Sequence, residues 1–293
     1  MTPPDAASTI VVAGATGRQG GAVARRLLGA GWTVRALTRS PDSKAARRLA
    51  AAGAEVVRAD MSDRGSLDAA LAGARGVFSV QNPALSGVKD EVRQGKNVAD
   101  AARAAELEHV VYASAGTGAA DTGIGWWDSK LEIEAHMREL GLALTIVRPV
   151  AFMELMTDRG FYPPVSTWHL MPKLAGGSTP IPWIAVDDAA AVAALAFAEP
   201  ERYIGRDLKL AAELRSIDEC RALYREILGR RPRGFPMPVW MFNRVASRDL
   251  VTMWRWLGDS EPAGNSDTLR AIRPESLTVR DWLQRRTARG QPG

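Results

Sequence analysis

Seven residues near the amino terminus constrain this chain more than any others: Gly14-Ala15-Thr16-Gly17-Arg18-Gln19-Gly20. They follow the β-branched run Ile10-Val11-Val12 and open an alanine-rich stretch whose apolar positions recur at helical spacing. Glycines at 14, 17 and 20, set between a strand and a helix, form the kind of turn that brings backbone N–H groups against a phosphate. Gly14 permits the tight turn, Gly17 removes a Cβ from the path of the anion, and Gly20 allows close helix–strand packing. The expected ligand is the diphosphate of a dinucleotide, with Thr16, Arg18 and Gln19 around it.

Downstream, short apolar runs alternate with helical stretches, the pattern of βαβ units. Strands are expected at residues 10–13, 33–38, 54–59, 76–80, 109–114 and 143–148. Helices are expected at 19–30, 41–52 with Pro41 early in its first turn, 91–106 and 128–140. The fold class that follows is α/β, a doubly wound parallel Rossmann sheet with a smaller C-terminal α/β substrate domain. Residues 1–150 and 186–205 would form the dinucleotide domain, and 151–185 and 206–293 the smaller one. After Pro149 the alternation stops, and 152–183 becomes a mixture of aromatic, Met, Gly and Pro residues, a candidate substrate region. A helix over 186–198 and a strand over 207–210 then return to the sheet, and Ser216-Ile217-Asp218-Glu219 carries a capping-box pattern. Trp240, Trp254, Trp256 and Trp282 imply a compact C-terminal appendage.

The second strand ends in Thr38-Arg39, nineteen positions past Gly20, where a protein selective for NAD usually carries an acid. Arg39, joined by Arg18, suits the 2′-phosphate of NADP. Asp60, at the end of the third strand, is a candidate acceptor for the adenine amino group or a cap for the turn that follows. Gln81 and Asn82 follow the fourth strand at the carboxyl edge of the sheet, where ligands of open α/β folds bind.

Net charge +5 and a pI near 9.6 raise the question of nucleic acid, but 33 acids oppose scattered basic residues. The densest basic run, Arg230-Arg231-Pro232-Arg233, reads as a solvated loop, so no nucleic-acid partner is expected. Lone Cys220 and widely separated His109, His136 and His169 suggest neither disulfide nor metal site, and a reducing cytoplasm is expected. The polar start has no signal-peptide pattern, and the apolar stretch 189–198 is half the roughly 20 residues of a spanning helix, so no membrane partner is expected.

Several further segments carry a family resemblance. Gly14 to Gly21, Thr38-Arg39, Asp60-Met61-Ser62-Asp63, Trp127-Asp128-Ser129-Lys130, Arg148-Pro149-Val150-Ala151-Phe152-Met153-Glu154 and Ile181-Pro182-Trp183-Ile184-Ala185-Val186-Asp187-Asp188 together resemble the NmrA-like proteins, atypical short-chain dehydrogenases. The resemblance implies an NADP(H)-binding domain, a smaller C-terminal domain and a cleft between them. Short-chain dehydrogenases place a proton-donating Tyr four residues before the active-site Lys. Counting back from Lys130 gives Trp126, and indole cannot serve as that acid.

Lys130 is then expected to contact the nicotinamide ribose or to act as an acid. Ser114, at the end of the fifth strand, is a second candidate for contact with ribose or substrate. Trp126, Trp127, Phe152, Met153, Trp168 and Trp183 are candidate linings of a pocket for a small molecule. The activity so implied is NADPH-dependent reduction of a quinone, enone or imine-like substrate. The alternative is a non-catalytic NADP(H) redox sensor acting through a protein partner. Exposed aromatics in the appendage would also suit a homo-oligomer.

Overall fold

A computed structural model of the chain describes residues 8–120, 122–158, 166–232, 238–245, 248–260 and 266–288. Arg233 of the basic run and residues 159–165 of the candidate substrate region lie outside the described residues. The first strands are β1 (Thr9–Val12), β2 (Thr33–Thr38), β3 (Glu55–Arg58), β4 (Gly76–Ser79), β5 (His109–Ala113) and β6 (Leu144–Pro149). Then come β7 (Ala151–Phe152), β8 (Ile181–Ile184), β9 (Asp207–Leu210) and β10 (Glu213–Arg215). The helices begin with α1 (Arg18–Gly29), α2 (Lys44–Ala51), α3 (Arg64–Leu71), α4 (Pro83–Ser86), α5 (Val88–Ala104), α6 (Gly125–Glu139) and α7 (Met171–Ala175). They continue with α8 (Val186–Ala198), α9 (Pro200–Tyr203), α10 (Ile217–Leu228), α11 (Val239–Val245), α12 (Arg248–Asp259), α13 (Ser266–Ile272) and α14 (Val279–Ala288).

Seven strands form one sheet in the order β3-β2-β1-β4-β5-β6-β9. The pairs from β3 through to β6 are parallel. The last strand joins in the same sense, because Gly205 N–H bonds Leu144 O, Ile146 N–H bonds Arg206 O and Val150 N–H bonds Leu210 O. Parallel strands need both faces covered, and the burial alternates accordingly. Val11, Val77, Val110 and Ile146 face Leu67, Val98, Ile133 and Met137 of α3, α5 and α6. Ile10, Val12, Val34, Phe78 and Val111, of the opposite parity, are also at most 1% exposed, so the second face is covered as well. Each such side chain contributes roughly 1.5–3 kcal/mol of burial.

Two local expectations are corrected. The second helix starts at Lys44, not near Pro41, because Ser43 caps it by accepting from Ala46 N–H at 3.2 Å. A helix over Arg64–Leu71, capped by Asp63, was not foreseen because Gly65 and Ser66 in its first turn mask so short an apolar stripe.

The contacts divide the chain into two compact units, Met1–Gly118 with Trp126–Arg148 and Ala189–Leu208, and Ala119–Gly125 with Pro149–Asp188 and Lys209–Gly293. The second unit holds a small sheet in the order β10-β8-β7, antiparallel at β8–β10 and parallel at β7–β8. In it Asp188 accepts from Arg273 Nε at 2.7 Å and Leu277 N–H at 2.9 Å, and Glu213 accepts from Val279 N–H. The capping box at Ser216 and Glu219 is formed. Trp254 is buried and stacks on Phe242, Trp282 is buried, and Trp240 instead lies 70% exposed. Among the described residues no helix is long and apolar enough to cross a membrane, and no group of three metal-ligating side chains occurs.

Candidate functional site

In an open α/β sheet the ligand crevice lies where the strand order reverses, here at the carboxyl ends of β1 and β4. The glycine-rich turn leaves β1 at this place. Gly14 has φ +73°, and a Cβ there would lie 2.9 Å from Val80 Cγ1 and 3.0 Å from Val80 O, so the two strand ends approach closely only because position 14 is glycine. Gly17 N–H bonds Gly14 O at 2.9 Å and closes the turn. A Cβ on Gly20 would lie 2.3 Å from Gly14 O and 3.0 Å from Ala15 N. The close packing expected of Gly20 is thus made against the turn itself rather than against the strand. Gly17 is the N-cap of α1 and supplies no side-chain cap, so the first amides of that helix keep their affinity for an anion.

Thr16, Gly17 and Arg18 are exposed around this turn, with Gln19 half-buried. Arg39 is exposed just beyond β2, and its guanidinium makes no ion pair or hydrogen bond among the described residues. A bare Cβ-free cradle, an uncapped helix start and an available guanidinium form a donor set suited to a phosphorylated dinucleotide.

Asp60 takes the turn-capping alternative with one oxygen, Oδ1 accepting from Ser62 N–H at 2.8 Å. Asn82 caps α4 by accepting from Ala84 N–H at 3.0 Å. Gln81 is 3% exposed, its Nε2 donates to Ser79 Oγ at 2.9 Å, and its Oε1 is buried without a partner among the described residues. An orphaned buried amide oxygen beside the strand ends is an unmet acceptor.

Lys130 projects from α6 into the first unit, its side chain 9% exposed, and pairs with the fully buried Glu91 of α5. Lys130 Nζ lies 2.9 Å from Glu91 Oε1 and 3.4 Å from Gln81 O, and Ser129 Oγ donates to Glu91 Oε2. Ser114 is only 2% exposed and is engaged elsewhere. Its hydroxyl donates to Glu134 and accepts from Arg148 Nη1 at 3.0 Å. Arg148 spends its remaining donors on Ala115 O, Glu134 and both oxygens of Asp207, so all five guanidinium N–H groups are used.

Of the candidate pocket residues, Trp126 and Trp127 lie on α6, and Trp127 packs under Gly116, where a Cβ would meet the indole at 2.6 Å. Phe152, Met153, Trp168 and Trp183 belong to the second unit. Met153 and Trp183 are fully buried, the Trp183 indole N–H bonding Arg215 O at 2.8 Å. Trp168 donates to Met156 O at 2.9 Å and lines a cavity of about 300 Å³ with Arg221, Arg225, Arg231 and Pro232. That cavity is basic rather than apolar.

Glu91 and Glu134 were missed in the sequence reading. The signal was present, since Glu91, Gly95, Val98, Ala99 and Ala102 share one buried helical face, as do Trp127, Lys130, Ile133, Glu134 and Met137. A charge in phase with an apolar stripe must be paired.

The strand order and the glycine turn at its reversal define a Rossmann-type α/β protein. The family model of the NmrA-like family matches residues 6–283, and the chain belongs to that family. It is 36% identical over 258 residues to the NmrA-like family domain-containing oxidoreductase FrzB of Cladobotryum sp., covering 79% of this chain and 77% of that one. Among solved structures it resembles NmrA, a negative transcriptional regulator, in complex with NADP, with TM-score 0.78, 21% identity and coverage of 98% and 97%. It also resembles the Citrobacter sp. triphenylmethane reductase complexed with NADP(H), with TM-score 0.75, 20% identity and coverage of 95% and 99%.

Proposed function

We propose that this protein is an NADPH-dependent reductase of a small quinone, enone or imine-like molecule. The observation that carries the reading is the turn at Gly14, Gly17 and Gly20 opening onto an uncapped helix, with Arg39 exposed at the end of β2. The turn amides and α1 would hold the diphosphate, and Arg39 with Arg18 the 2′-phosphate. Gln81 and Asn82 border the same strand edge, and Lys130 would donate to the nicotinamide ribose. When bound, NADPH supplies the hydride. Ser114 donates to Glu134 and accepts from Arg148, which supports its holding the end of β5 rather than touching substrate. With Trp126 in place of a phenolic acid, the substrates favoured are those whose reduction asks little of a protein proton donor. The relative named an oxidoreductase supports this class. The test is loss of NADPH absorbance with a panel of acceptors, and tight NADPH binding with no turnover of any acceptor would sink the enzyme reading.

The same Trp126 favours a second reading, a redox sensor that binds NADP(H) and acts through a protein partner. Such a sensor requires different affinities for the two cofactor states, or an association that changes with them. Calorimetry giving equal affinities, with an assembly state indifferent to both, would count against it.

A further inference from the structure

We propose that Glu91 is a positioning residue that fixes the ammonium of Lys130 for the nicotinamide ribose, an inference that rests on the reading of Lys130 given above. Glu91 is 0% exposed on α5, where an unpaired carboxylate would be strongly unfavourable. Both of its oxygens are used. Oε1 accepts from Lys130 Nζ at 2.9 Å, and Oε2 accepts from Ser129 Oγ one residue earlier on α6. A carboxylate held on both sides is a rigid anchor.

What it anchors is otherwise a flexible four-carbon stem. Lys130 Nζ has three N–H donors, of which one meets Glu91 and one makes the longer 3.4 Å contact with Gln81 O. The third has no hydrogen-bond acceptor among the described residues, the Tyr112 ring lying 5.9 Å from the ammonium, and is the donor a ligand hydroxyl would meet. Gln81 O follows the carboxyl end of β4, so the ion pair holds this donor at the edge where the strand order reverses. The unpartnered Oε1 of Gln81 adds an acceptor on the same residue.

Holding α5 to α6 does not require the pair. The two helices approach so closely at Gly95 that a Cβ would lie 2.5 Å from Ile133 Cδ1, and Lys96 pairs with Glu132 on their surface. Buried ion pairs are commonly replaced by apolar residues with no loss of stability, so this one is better explained by where it puts a charge.

The experiment measures binding of NADPH and of 2′,5′-ADP, which carries the 2′-phosphate but no nicotinamide ribose. Glu91→Leu is expected to weaken NADPH about tenfold, the effect of losing a charge-assisted hydrogen bond, and to leave 2′,5′-ADP unchanged. Lys130→Leu should do the same, and the double variant no more than either, since both remove one interaction. Glu91→Gln retains an acceptor for Lys130 and should restore NADPH binding to within roughly threefold of the parent. If Glu91→Leu fails to fold, Glu91→Asp, whose carboxylate sits one methylene short of Lys130, carries the comparison, and NADPH binding unchanged by it overturns the positioning role. Equal weakening of both ligands, or independent effects of the two leucine variants, overturns the positioning role. A parent protein that binds neither ligand overturns the cofactor reading instead.

Discussion

A Cβ on Gly20 would stand 2.3 Å from the carbonyl oxygen of Gly14, so the third glycine of the turn is required by the shape the first one gives it. Neither contact partner is a side-chain tip that can swing away. Gly20→Ala is therefore expected to displace the start of α1, destabilise the protein by roughly 1–3 kcal/mol and abolish NADPH binding. Gly29→Ala, in the same helix with nothing within 4 Å of the new Cβ, should instead leave stability unchanged or raise it by up to about 1 kcal/mol. Thermal unfolding and cofactor titration of the two variants check both halves.

On the proposed reading, Arg39 would carry the preference for the phosphorylated cofactor. Arg39→Ala should weaken NADPH by roughly ten- to a hundredfold, the range for a lost charged hydrogen bond, and leave NADH within about threefold. Equal losses for the two cofactors would place the guanidinium elsewhere than at the 2′-phosphate.

Arg148 is a stability determinant. It is 2% exposed and is the buried partner of the fully buried Glu134, which Arg148→Ala leaves with the exposed Arg138 at 3.1 Å and the Ser114 hydroxyl. The expected loss is about 2–4 kcal/mol, since the bonds to Asp207 and Ser114 go with it. That corresponds to a fall in Tm of roughly 4–16 °C, read by calorimetry.

Glu154 and His109 give opposed pH dependences. Burial pushes the Glu154 carboxyl up to about 7, against hydrogen bonds from Val186 N–H and Trp282 that pull it down. Its folded form holds a proton that the unfolded form has lost above pH 4.5, so its contribution falls as pH rises from about 4.5 to 7, by up to about 3 kcal/mol. Glu154→Gln should flatten that decline. Burial, with Arg75 adding to it, pushes the His109 imidazole down to about 4, and Nε2 lies 2.8 Å from Thr145 Oγ1. Its contribution is present above pH 6.5 and is lost as pH falls towards 4. His109→Gln should therefore raise relative stability at pH 5, whereas Glu154→Gln should raise it at pH 7.5. Denaturant unfolding at the two pH values separates them.

Much of the sheet was legible because a parallel strand buried on both faces must be an apolar run, as β4 and β5 are, and β2 and the alternating edge strand β9 were also read to the residue. The turn was legible because its glycines are local. The charged partners were not. Glu91 and Lys130 are 39 positions apart, and only the folded α5 and α6 reveal that two charges in phase with apolar stripes belong to each other. Arg148 and Asp207 are separated by 59 positions, and nothing near Arg148 announces its partner. The small sheet was missed for a different reason. β7 and β10 have two and three residues, too few to show a period.

The three-segment composition of each unit has a consequence for synthesis. The last segment of the first unit is Ala189–Leu208, and the seventh strand of the large sheet is β9. A nascent chain that has emerged as far as β6 still exposes the flank of that strand, and Arg148 still lacks Asp207. Until residues 207–210 have emerged, the flank of β6 is an open sheet edge with unpaired backbone groups, the kind of surface on which mispairing begins.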